Sequence, residues 1–143
     1  MKDNKVVDRD DVISFFRKAT KSNYYFKSRE KNYKNITPCI MAEVLLIPNR
    51  KTGIIDVKIF CFYGKPQFYA ITYRDYQGTH YGLFKHNSEA IPIENTYLKV
   101  KDRVVGVDEI EKLKALAASL SSPFDFVRVD FYLSDTNIYF SEL

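Results

Sequence analysis

The closing run FDFVRVDFYLSDTNIYFSEL constrains the fold more than any other part of the chain. Its residues alternate with a period of two, the repeat of an extended strand and not of a helix. Phe126, Arg128, Asp130 and Tyr132 share one face, and Val127, Val129, Phe131 and Leu133 share the other. A second pair of alternating runs, IIDVKIFCFY and QFYAITY, flanks Gly64-Lys65-Pro66 and reads as a β-hairpin. Helical spacing occurs twice. Val12, Phe15, Phe16 and Ala19 follow the acidic start Asp10-Asp11. Ile110, Leu113, Leu116, Ala117 and Leu120 form a stripe that begins at Asp108 and stops at Ser121-Ser122-Pro123, with Glu111, Lys112 and Lys114 off it. CIMAEVLLI, between Pro38 and Pro48, reads as a buried strand, and NRKTG as the turn after it. Residues 74–101 look irregular, with a weak strand around residues 80–85. The expected fold class is α+β: an antiparallel sheet with packed helices, in a single domain spanning residues 1–143.

Composition excludes several alternatives. Of 143 residues, 45% are hydrophobic and 28% charged, which suits a globular domain and not a disordered one. No apolar run reaches the roughly 18 residues of a membrane span, and the charged start MKDNKVVDRDD is not a secretion signal, so a cytoplasmic protein is expected. Cys39 and Cys61 sit in apolar runs and read as reduced, buried small hydrophobes. His80 and His86 have no cysteine near them and make no zinc site. Five glycines are too few to suggest a phosphate-cradling loop. Residues 1–36 hold ten Lys/Arg against five Asp/Glu, while the remainder holds twelve against thirteen. The basic excess lies among tyrosines, but no RNA-recognition signature accompanies it, and nucleic-acid binding is not expected.

The closing hairpin also carries the candidate chemistry. A three-residue loop, Asp135-Thr136-Asn137, would put Asn137 in a left-handed conformation, pair Ser134 with Ile138 and set Asp130 opposite Glu142. Facing carboxylates about 5 Å apart repel, so a positive group belongs between them. Mg²⁺ suits hard oxygen donors, and Arg128 shares the face and could neutralise phosphate. A two-residue turn would instead shift the register and separate the pair. Without a ligand, the hairpin is simply a solvated charged face. Asp56 and Lys58 are likewise readable as a same-face ion pair, and Phe60 and Phe62 as core.

The segment FDFVRVDFY…IYFSEL resembles the last two strands of the ATP-grasp fold, where an Asp and a Glu bind Mg²⁺ beside an Arg. YYFKSREKNYKNITPCIMAEVLL and DVKIFCFYGKPQFYAITYRD are similar to the TupA-like ATP-grasp family, linked to teichuronopeptide and capsular polysaccharide biosynthesis and often labelled glycosyltransferases. The resemblance covers about residues 23–143 and implies the C-terminal subdomain of such a protein, as a fragment or a split subunit. It implies ATP and Mg²⁺ as cofactors and a carboxylate–amine ligase reaction on a carboxylate, amine or sugar-linked substrate. Asp130 and Glu142 would hold the metal. Glu43, Val44 and Leu45 would offer backbone groups to adenine, and Asp56 would lie near the ribose. Lys58 would point into the cleft, Arg128 would lie beside the metal, and Arg74 would approach phosphate or the carboxylate substrate. A non-catalytic nucleotide- or partner-binding remnant is the alternative. An uncovered apolar face would favour a homo-oligomer or a missing N-terminal subdomain.

Overall fold

The computed structural model describes residues 8–47, 53–94, 96–100, 104–134 and 137–143. Most of the charged start, Pro48, most of the NRKTG turn, and Asp135 and Thr136 of the closing turn lie outside them. The chain forms two compact units, Met1–Val44 and Leu45–Leu143.

In the first unit, α1 spans Arg9–Ala19. Asp8 caps it: its Oδ1 accepts from the backbone N–H groups of Asp10 and Asp11 at 2.8 and 3.2 Å. Asp10 and Asp11 in the first turn and Arg17 and Lys18 in the last oppose the helix dipole. A short α2 (Tyr25–Ser28) and a 3-10 turn (Lys31–Tyr33) follow. Asn23 pins them together: its amide donates to the carbonyls of Lys34 and Ile36, and its oxygen accepts from the N–H of Tyr25. The expected strand at CIMAEVLLI is not formed. Residues 38–47 are neither helix nor strand, and Met41, Val44, Leu45 and Ile47 are exposed. An apolar run becomes a strand only when a neighbouring edge takes its backbone hydrogen bonds, and no described strand pairs with it.

The second unit is a seven-stranded sheet among the described residues: β1 (Ile55–Phe62), β2 (Lys65–Asp75), β3 (Gly78–Lys85), β4 (Ala90–Ile91), β5 (Leu98–Lys99), β6 (Phe126–Ser134) and β7 (Asn137–Glu142), in the order β4-β3-β2-β1-β6-β7, with β5 paired to β3. β1 (Ile55–Phe62) and β2 (Lys65–Asp75) form the expected hairpin. Tyr63 and Gly64 alone make its turn, both at positive φ. Gly64 also lets the turn approach the second long helix, since a Cβ there would come within 3.3 Å of the Ser122 backbone.

β3 (Gly78–Lys85) bears out the weak strand expected around residues 80–85 and begins two residues earlier: it pairs with β2 along its whole length. Its inward positions are His80, Gly82 and Phe84, opposite Tyr73, Ile71 and Tyr69. Alternation was hidden because two of those three residues are not apolar. His80 is buried by stacking on Tyr73 and bonding to the Lys99 carbonyl and to Asp75. A side chain at Gly82 would collide with Phe84 and Val100. The short strands β4 (Ala90–Ile91) and β5 (Leu98–Lys99) complete this edge.

α3 (Val107–Ser121) packs on β1, β2 and β6, where β6 is Phe126–Ser134 and β7 is Asn137–Glu142. Ile110, Leu113 and Ala117 meet Ile55, Val57, Ile59, Cys61, Val129, Phe131 and Leu133 in the core. Three helix positions differ from the expected stripe. Leu116 and Leu120 are partly exposed, whereas Lys114 is buried. Its ammonium lies over the Tyr69 ring, donates to the His86 carbonyl and pairs with Glu111, so a charged residue occupies a core-facing position with its donors satisfied.

The two cysteines also separate: Cys61 is buried, but Cys39, expected to be buried, is exposed. Burial also pushes the Cys61 thiol above its ordinary value, against a lowering hydrogen bond with Ser121. Titrating the native protein with a thiol reagent near neutral pH should therefore label Cys39 rapidly and Cys61 only after denaturant is added. Fast labelling of both would contradict this packing.

Candidate functional site

The core occupies one face of the sheet. On the other, alternation places Asp56, Lys58, Phe60 and Phe62 of β1 beside Arg128 and Asp130 of β6. Lys58 is directly opposite Asp130 across the β1–β6 ladder. On the far side of β6, Asp130 is opposite Glu142, as expected.

The route to that register is different from the one inferred. Ser134 pairs with Asn137, not Ile138, so the turn has two residues, the case expected to separate the carboxylates. A β-bulge after Asp130 adds one residue on β7 and restores the pairing. Bulges leave no sequence pattern as plain as alternation, and this one re-aims Glu142 toward Asp130.

The positive group between the two carboxylates is Arg128. Its Nε and Nη2 donate to Asp130 Oδ1 and Oδ2 at 2.7 and 2.8 Å, and Nη2 also reaches Glu142 Oε1 at 3.2 Å. Lys58 Nζ lies 3.0 Å from Asp130 Oδ2 and 2.6 Å from Asp56 Oδ2. Asp130 is 1% exposed, so a fully desolvated carboxylate is held by two cations that are themselves only partly buried. The hydrogen bonds to Asp130 hold the Arg128 guanidinium above its ordinary value, outweighing burial. Burial lowers Lys58, but hydrogen bonds to and negative charge on Asp56 and Asp130 more than reverse it, leaving the ammonium raised.

These shifts set the alkaline limit of stability. Lys58, Cys61 and Tyr69 all hold their protons above the ordinary 10.5, 9.0 and 10.0, Tyr69 chiefly through burial. The folded chain therefore binds more protons than the unfolded chain at high pH, so stability falls as pH rises. The Lys58 contribution is complete below its unfolded value and is lost as pH climbs through the folded one. Urea midpoints measured from about pH 8 to about pH 11 should fall steadily; a flat profile would contradict the shifts.

The expected metal can be weighed on the donors present. Asp56, Asp130 and Glu142 supply carboxylate oxygens only, the donor type a hard divalent cation takes. Asp56 Oδ1 is buried with no hydrogen-bond partner, so one oxygen is free to accept such an ion. The residues fit Mg²⁺ in kind. No ready-made cage of three or more closely grouped His, Cys, Asp or Glu side chains occurs among the described residues.

The rest of the face is aromatic. Phe60 and Phe62 are not in the core, as was expected, but stand partly exposed on this side. With Phe68 and Phe126 they form a continuous platform, with ring centroids at 4.9 Å (Phe60 to Phe68) and 4.8 Å (Phe62 to Phe126). A flat apolar ligand surface would find contact there, a few residues along β1 from the charged cluster. Part of the signal was in the sequence: Phe60, Phe62 and Phe126 share the alternation phase of Lys58 or Arg128, and the β1–β2 register sets Phe68 opposite Phe60.

Arg74, on β2 opposite Thr79, is exposed and makes none of the ion pairs of the cluster. Glu43 and Val44 close the first unit and Leu45 opens the second; all three are exposed and outside any helix or strand. The site residues brought together are thus Asp56, Lys58, Arg128, Asp130 and Glu142. Asp8-Arg9-Asp10 has the Asp-x-Asp pattern of sugar-nucleotide sites, yet Asp8 is occupied as the cap of α1.

Comparison with known families adds one match. The family model described as TupA-like ATPgrasp matches residues 1–143, a longer stretch than the resemblance quoted above. No curated protein and no solved structure gives a significant match. No helix of the described residues is long and apolar enough to cross a membrane.

Proposed function

The chain belongs to the TupA-like ATP-grasp family, and from that premise we propose that the face formed by β1, β6 and β7 binds the phosphates of ATP with a divalent cation, in an ATP-dependent carboxylate–amine ligase of cell-surface polysaccharide assembly. The observation that carries this reading is the convergence of two cations and three carboxylates on one sheet face beside an aromatic platform. In such a reaction a carboxylate oxygen attacks the γ-phosphorus, the bond to the bridging oxygen breaks and ADP leaves. An amine then attacks the acyl carbon, and inorganic phosphate departs as the amide forms.

The work of this chain in that scheme is electrostatic positioning. Asp130 grips Arg128 with two hydrogen bonds, so the guanidinium is held at a fixed place on the face and its remaining donors can meet phosphoryl oxygens. Lys58, tethered between Asp56 and Asp130, supplies a second positive charge. Asp130, Glu142 and Asp56 would hold Mg²⁺, which when bound supplies charge neutralisation at the phosphoryl oxygens. Arg74, one strand away and free of the cluster, is suited to the carboxylate of the substrate.

Titration calorimetry with Mg-ATP tests the reading. Saturable heat at a stoichiometry of one per chain is expected, and it should weaken in Arg128→Ala. Absence of any heat up to millimolar Mg-ATP would overturn the nucleotide assignment.

A further inference from the structure

The position between Asp56 and Asp130 is already held by a cation. Lys58 Nζ sits 2.6 Å from one carboxylate and 3.0 Å from the other, directly across the ladder from Asp130. The two cations of the cluster are not attached alike. Arg128 is bound to Asp130 through two nitrogens and to Glu142 through one, a planar fork that cannot leave without breaking all three bonds. Lys58 meets its partners through one ammonium on a flexible four-carbon stem, and its side chain remains 27% exposed on the open face. Beside it, Asp56 Oδ1 is buried and bonded to nothing. An ion entering here would gain that free oxygen and would compete with Lys58, not Arg128, for Asp56 Oδ2 and Asp130 Oδ2.

Resting on the metal–nucleotide reading of this face, we propose that Lys58 is an exchangeable counter-ion: it holds Asp56 and Asp130 together in the free chain, yields their oxygens to an incoming divalent cation, and swings onto the phosphates that accompany it. Lys58 is thereby a positioning residue for the carboxylates in one state and a phosphate contact in the other. Electrostatics supports the exchange. Asp56, Asp130 and Glu142 carry three negative charges against two positive ones, so the cluster retains one net negative charge while Lys58 is in place. Replacing an ammonium by a divalent ion, with the ammonium moving a few ångströms toward phosphate, keeps every charge paired.

The exchange predicts opposite signs for two ligands of one variant. Mn²⁺ alone, followed by the electron paramagnetic resonance of the free ion, serves as a probe because it takes the same carboxylate oxygens. Lys58→Met removes the competitor and should bind Mn²⁺ about tenfold more tightly than the unmodified chain, since a unit charge a few ångströms from a divalent ion matters at least that much. The same variant should bind Mg-ATP more weakly, because a phosphate contact is gone. Lys58→Arg keeps the charge and should bind Mn²⁺ no more tightly than the unmodified chain, which also covers the case in which Lys58→Met does not fold. A merely structural ion pair would weaken both ligands together on removal.

Mn²⁺ affinity unchanged or lower in Lys58→Met, tighter binding in Lys58→Arg, or no Mn²⁺ binding by any form would overturn the proposal. Tighter Mn²⁺ in Lys58→Met with no Mg-ATP binding by any form would remove the nucleotide reading and the phosphate step, and uphold the competition between Lys58 and the ion.

Discussion

Asp130→Asn is expected to lower stability by about 3 kcal/mol and to abolish stabilisation by Mg-ATP. The carboxylate is buried and accepts from Arg128 through both oxygens and from Lys58 through one. Asparagine preserves the volume but turns one acceptor into an N–H₂ group that faces positively charged donors. The cost belongs at the low end for a broken buried pair, because Arg128 and Lys58 are partly exposed and can recover some hydration. For a domain of this size the loss corresponds to a fall in Tm on the order of 10 °C. Differential scanning fluorimetry with and without Mg-ATP reads both effects. A Tm within a degree or so of the unmodified chain would show that the charged cluster does not support the sheet. Glu142→Gln separates stability from binding: Glu142 is largely exposed and makes one 3.2 Å contact, so Tm should hold while Mg-ATP affinity falls.

The second large effect concerns the opposite side of the same strand. Phe131→Ala should cost about 4 kcal/mol, because the ring is 2% exposed in the core and its loss leaves a cavity between β6 and α3. Phe62→Ala, on the open face, should cost about 1 kcal/mol, the value of the partial burial it loses. Urea unfolding of the two variants measures the difference directly. Equal losses, or a larger one at Phe62, would mean that the sheet faces are assigned the wrong way round. The pair matters for function too, since Phe62 is offered as ligand platform and Phe131 as foundation.

Much of this was legible in the sequence where the signal is local. Asp10 and Asp11 marked a helix start, and Asp8 caps it one turn earlier than the apolar spacing suggested. The facing of Arg128 and Asp130 followed from alternation within one strand. Other features were faint in the sequence, as β3 was, or not legible, for identifiable reasons. β3 carries a buried histidine and a glycine on its inward side, so its alternation does not look apolar. Lys114 is inward because the His86 carbonyl and Tyr69, far away in sequence, satisfy its ammonium. The run at residues 38–47 is apolar enough for a strand, but hydrophobicity cannot create the neighbouring edge that a strand needs.

By itself the sequence determined the two hairpins, most of the apolar side of α3 and the division of β1 and β6 into two alternating faces, and its motifs pointed to the ATP-grasp family. These follow from periods of two and 3.6 residues, which neighbouring residues set among themselves. Only the tertiary structure decided that β1 lies beside β6, which puts Lys58 across from Asp130 although 72 residues separate them. It alone supplied the bulge that keeps Asp130 opposite Glu142 after a two-residue turn. Strand order and bulges are fixed by which edges meet when the core closes, and that is a property of distant segments in contact, not of any run of residues.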